Sequence, residues 1–137
     1  MNGQVIELIK AALVPFVLIS GEGLIALTMQ NRYGRVIDRV RELHHRLTMG
    51  EGINKEEVRI LYKRGLLLRN SMVFLFSSIM FCLLTSIVTY WTGGSTISFL
   101  LFLFSLLLFF LGILLAVIDL MVSYKALEIR IKSSLKS

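Results

Sequence analysis

Glu22 is the residue whose type and place most demand a chemical explanation. It lies in Leu18-Ile19-Ser20-Gly21-Glu22-Gly23-Leu24-Ile25-Ala26, inside an apolar window over residues 11–29 that is long enough to cross a bilayer. Seven residues separate it from Met29, which sets the carboxyl about 10 Å inside the span at the helical rise. A side chain that short does not reach the interface from there. Ionised and alone it would cost several kcal/mol, so it must be protonated, paired, hydrated or bound to a cation. Lys10, the one cation N-terminal to it, is twelve residues away, about 18 Å along a helix. Gathered by identical subunits around an axis, such carboxylates would form the ring that cation channels use for selectivity, titrating as a coupled set. Ile19, Ala26 and Met29 would then be the neighbouring constriction residues.

A second acidic residue, Asp119, falls near the end of a later apolar window, where Arg32, Arg35 or Arg69 can neutralise it in a structural ion pair. The same arginines are candidates for contact with anionic lipid headgroups. Ser71, Ser78, Cys82, Thr85, Thr89 and Thr92 share a weakly polar face at three-, four- and seven-residue spacing. Such a face packs helices with its hydroxyls bonded to their own i−4 carbonyls, or else lines a wet pore. Ser78 and Thr85 are its candidate packing residues.

His44 and His45 are adjacent, so they point about 100° apart on a helix and suit a surface better than a metal. No nucleotide-binding loop, nucleophile elbow or zinc-protease signature occurs, so we expect no enzyme, no metal and no cofactor. The net charge is +6, but no nucleic-acid recognition motif accompanies it.

The elements that must position these residues are helices. The chain has 137 residues, is 55% hydrophobic and has a mean hydropathy of +0.76, above the range of ordinary soluble domains. Windows over residues 11–29, 71–91 and 97–122 are each long enough to span a bilayer. The first lacks a positive n-region and a small-residue cleavage pattern, and is read as a retained span, not a secretory signal. Fourteen of the fifteen Lys and Arg residues lie in 31–70 or after Val122. The positive-inside rule therefore predicts an external N-terminus and a cytoplasmic C-terminus in the cell membrane.

A heptad seam runs through Val5, Leu8, Ala12, Pro15, Ile19, Glu22, Ala26, Met29, Tyr33, Val36, Val40, Leu43 and Leu47, so the first helix continues beyond its span. A turn is expected at 49–54, with Asn54 as N-cap of a second helix that folds back and enters the second span. The predicted fold is an all-α membrane protein with three transmembrane helices, the first and second extended into a cytoplasmic antiparallel hairpin. Its segments are 1–30, the basic hairpin 31–70, the second and third spans 71–122, and a basic tail 123–137. Gly21 and Gly23 predict close helix approach. The third span, apolar around its circumference except for Ser105, is expected outermost against lipid, with the first innermost. The seam itself can face a symmetry mate or the second helix of its own chain.

The run LISGEGLIALTMQNRYGRVIDRVR over residues 18–41 resembles a family of small bacterial and archaeal membrane proteins known as domain of unknown function 2721. The Ser20-Gly21-x-Gly23 step and the Asn31-Arg32-Tyr33-x-Arg35-Val36-x-Asp38-Arg39 run carry the resemblance, which extends to the three-span layout. It implies a prokaryotic membrane setting, such as the inner membrane, and no chemistry. Two functions fit these residues. One is a homo-oligomeric cation channel with Glu22 at its filter. The other is a non-conducting scaffold whose hairpin binds a protein.

Overall fold

The computed structural model describes residues 2–50 and 55–134. They form three helices, α1 over Asn2–Thr48, α2 over Lys55–Thr92 and α3 over Thr96–Ser134. Each is long and apolar enough to cross a membrane, so the chain is an all-helical membrane protein with three candidate spans. α1 extends well past its apolar window as the heptad predicts, and α3 continues unbroken through Val122 to Ser134. The Asn54 cap lies outside the described residues.

Glycine makes both turns possible where the backbone must enter the left-handed region. Gly50 has φ of 78° after α1, and Gly93 and Gly94 have φ of 66° and 95° between α2 and α3, a conformation that costs other residues a Cβ clash. Pro15 sits within α1. It removes one backbone donor, a loss that packing neighbours can compensate in a membrane helix.

α2 is the central helix and packs against both α1 and α3. Along α1 the residues at strict seven-residue steps, Pro15, Glu22, Met29, Val36 and Leu43, are all buried, as is Ala26. Met29 and Val36 join Leu68 and Leu75 of α2 and Ala116 of α3 in one apolar cluster, flanked by Ile25, Tyr33, Met72 and Phe109. The seam therefore closes against the second helix of its own chain.

The packing of α3 corrects two sequence expectations. α2, not α1, is innermost, and α3 is no uniform lipid-facing rod. Ser98, Ser105, Gly112 and Asp119, again seven residues apart, are all buried. This line meets an antiparallel line on α2 in successive layers. Arg64 reaches Asp119, Ser71 Oγ donates to the Gly112 carbonyl at 2.8 Å, and Ser78 Oγ donates to the Ser105 carbonyl at 2.8 Å. The next step brings up Thr85 and Ser98, both buried. Small side chains at the three layers beyond Arg64 and Asp119 let the two backbones approach closely, which is how helices associate where lipid removes the hydrophobic drive. α3 conceals this seam in the sequence because Leu and Phe fill the positions on either side of it.

Within one chain, Gly21 and Gly23 approach no other helix closely. Both are exposed, and a Cβ on either would meet nothing within 4 Å. Neighbouring residues on a helix diverge by about 100°, so turning Glu22 inward swings both glycines away from the core. The tight contact occurs instead at Gly112, where a Cβ would lie 3.0 Å from Leu75 Cγ.

Candidate functional site

Two polar centres sit in this apolar frame. The first is built around Glu22, whose side chain is only 2% exposed within a single protomer. The heptad of α1 directs it at α2, where Ser78 Oγ stands 3.1 Å from Glu22 Oε1 and 2.8 Å from the Ser105 carbonyl. Ser105 Oγ donates to the Phe102 carbonyl at 3.0 Å. Glu22 Oε2 has no hydrogen-bond partner among the described residues. One turn further along α2, Cys82 Sγ donates to the Pro15 carbonyl at 3.6 Å, a weak bond from a weak donor.

A carboxylate ring on a shared axis would require Glu22 to face other subunits. It faces Ser78 of its own chain, because the α1 heptad is satisfied by α2. Of the three expected constriction residues, Ala26 and Met29 are buried within the protomer and Ile19 is half-buried.

The second centre joins all three helices. Arg32 Nη2 of α1 lies 2.7 Å from Asp119 Oδ2, and Arg64 Nε of α2 lies 3.4 Å from Asp119 Oδ1. Asp119 is fully buried, and the two guanidiniums remain partly exposed. Arg32 was among the expected partners. Arg35 and Arg69 are exposed and do not reach the carboxylate. Arg64 was not anticipated, though its place seven residues before Ser71, in register with Ser78 and Thr85, is a signal that could have found it. Two cations on one anion leave the centre with excess positive charge at the edge of the spans.

The α2 hydroxyl face divides between two roles. Thr85, Ser86, Thr89 and Thr92 donate to the carbonyls four residues back, while Ser71 and Ser78 bond across to α3. Where the layers end, near the Gly93-Gly94 turn, a cavity of about 270 Å³ is lined on α1 by Val14 and Pro15 and on the other helices by Thr85, Thr89, Ser98 and Phe102. His44 and His45 are both exposed.

A family model described as "Protein of unknown function (DUF2721)" matches residues 12–129. The chain belongs to this family. The match takes in both polar centres of this DUF2721 chain and all three candidate spans. No curated protein and no solved structure matches the chain.

Proposed function

We propose that the protein is a non-conducting membrane scaffold, in which three spans hold a helical hairpin clear of the bilayer as a docking site for a protein partner. The placement of Glu22 carries this reading: its face of α1 is occupied by α2, which removes the main support for a carboxylate ring. The interior is held by packing and by hydroxyl-to-carbonyl bonds, and the apolar cluster of Met29, Val36, Leu68, Leu75 and Ala116 lies between Glu22 and the far end of α1.

The hairpin has features suited to a partner. Past the Arg32–Asp119 layer, α1 extends another sixteen residues to Thr48, about 24 Å at the helical rise. Arg39 pairs with Glu42 at 2.8 Å and with Glu57 of α2 at 3.8 Å. Val40, Leu47, Met49 and Tyr62 are exposed. The concentration of Lys and Arg in 31–70 supports a cytoplasmic hairpin. Arg35 and Arg69 suit anionic headgroups where it leaves the membrane, and the open Gly21 and Gly23 face of α1 leaves room for a second copy of the chain.

Cation flux into sealed liposomes tests the non-conducting part, comparing wild type, Glu22→Gln and empty vesicles. We expect the three to be equal, whereas flux that depends on Glu22 would overturn the reading. A photo-crosslinking side chain at Tyr62, used in cells, tests the docking part. A discrete protein adduct is expected there, and its absence would remove the partner.

A further inference from the structure

The centre on Asp119 carries more positive charge than its carboxylate can balance. Arg32 spends Nη2 on Asp119 Oδ2, and Arg64 spends Nε on Asp119 Oδ1. A guanidinium offers five N–H donors in a rigid fork. Arg32 therefore keeps Nε and Nη1, and Arg64 keeps both Nη nitrogens, with no partner among the described residues. These spare nitrogens are not sealed in. Glu22 Oε2 is the one buried side-chain nitrogen or oxygen without a partner among the described residues, and the two arginine side chains are 18% and 24% exposed. Both forks open onto whatever surrounds the helices.

What surrounds them follows from the length of the apolar run. On α2 the run is bracketed by Arg69 and Trp91, both exposed. They stand 22 residues apart, about 33 Å at the helical rise, which matches a hydrocarbon core of about 30 Å. Tyr90 and Trp91 are of the type that sits at headgroup level, so Arg69 marks the opposite headgroup layer. The α1/α2 register, fixed by Glu22 against Ser78 and Val36 against Gly65, sets Arg32 level with Leu68 and Arg69. Over residues 31–37, 63–70 and 114–122 the cations are Arg32, Arg35, Lys63, Arg64 and Arg69, and Asp119 is the only acid. Charge this poorly balanced, where water is partly excluded, favours an anion.

We propose that Arg32 and Arg64, held together by Asp119, form a binding site for the phosphate of one anionic phospholipid. Asp119 is the anchor. Fully buried, it takes one nitrogen from each arginine, so two cations that would repel each other stay side by side. Phosphate oxygens accept in the plane of a guanidinium fork, and one phosphodiester charge matches the one positive charge that two arginines and an aspartate leave. The source is a lipid because the site lies at headgroup level, with Ile25 and Phe109, partly buried against the apolar cluster, on its membrane side. Arg35 and Arg69 are exposed and off the carboxylate; they add only a diffuse attraction for a charged surface. The site does not rest on the hairpin's protein partner.

Native mass spectrometry of the full chain, released from neutral detergent micelles, tests it. Wild type should retain one phosphatidylglycerol in clear preference to phosphatidylcholine, and excess inorganic phosphate should not displace it. Arg64→Gln spares the shorter Arg32 contact and should weaken retention about tenfold, the scale of a lost charge-assisted hydrogen bond. Arg64→Lys keeps the charge beside Asp119 but not the fork, and should fall between; it decides the matter if Arg64→Gln does not fold. Arg35→Gln makes the same charge change at an exposed arginine and should stay within about twofold of wild type. Equal retention of the two lipids would overturn the site, as would wild-type retention in Arg64→Lys or an equal loss in Arg35→Gln and Arg64→Gln. Displacement by inorganic phosphate would overturn the lipid as its source.

Discussion

Gly112→Val tests the α2/α3 seam at its tightest layer. At this position even a Cβ would lie 3.0 Å from Leu75 Cγ, 3.1 Å from Leu75 Cδ2 and 3.3 Å from the Ser71 carbonyl oxygen. Leu75 is fully buried in the cluster that joins all three helices, so it has nowhere to retreat. Valine adds two further methyls, and overpacking of this kind costs about 1–3 kcal/mol. The Ser71 bond to the Gly112 carbonyl would stretch as the helices part, adding about 0.6 kcal/mol, the average for such bonds between membrane helices. Any gain from replacing a helical glycine is at most about 1 kcal/mol, so a net loss of about 1–3 kcal/mol is expected. Gly21→Val and Gly23→Val, with open space around both, should each fall within about 0.5 kcal/mol of wild type as monomers. The assay is SDS titration in mixed micelles, read by a fluorophore pair at Tyr62 on α2 and Met121 on α3, both exposed. Equal midpoints for Gly112→Val and wild type, or an equal loss in Gly21→Val, would refute the packing described.

Removing the Asp119 charge with Asp119→Asn should destabilise the fold by roughly 1–3 kcal/mol, the scale for losing charge-assisted hydrogen bonds, and a neutral result in the same titration would demote this centre. Arg32→Ala should cost more than Arg64→Ala, since its contact is 2.7 Å against 3.4 Å; the reverse order would mean that Arg64 is the principal partner. Ser71→Ala should lose about 0.6 kcal/mol and no more. Single cysteines replacing Asn2 and Met49 in a Cys82→Ser background should label from opposite sides of the membrane, the first outside and the second inside, and label at Met49 from outside would overturn the charge-based topology.

The α1 architecture was legible because its seam contrasts with its flanks. Met29, Val36 and Leu43 keep their register among arginines once the helix leaves the apolar window, and Glu22 falls on the same line. What the line faces was not legible, since a heptad specifies a partner helix without saying whose it is. α3 hid its own seam. Ser98, Ser105 and Gly112 differ from their Leu and Phe neighbours chiefly in size, and a reading tuned to polarity passes over a groove made by small residues. Gly21 and Gly23 have no such neighbour within the chain, since small residues permit close approach only on the face that turns toward another helix. At the ion-pair layer, Arg32 was legible from proximity to the span. Arg64 was overlooked because it lies seven residues outside Ser71, and a long side chain reaches back over that distance.

The central claim is that the α1 seam closes against α2 of the same chain, with Glu22 inside. Oxidative cross-linking in a Cys82→Ser background tests it most directly. A Cβ at Gly65 would lie 3.8 Å from Val36 Cγ1, so Val36→Cys with Gly65→Cys should give a bond within one chain that runs as a monomer, and Glu22→Cys alone should give no covalent dimer. Ready dimers of Glu22→Cys, with Val36→Cys joining to Gly65→Cys only between chains, would contradict the account and return the carboxylate to a shared axis.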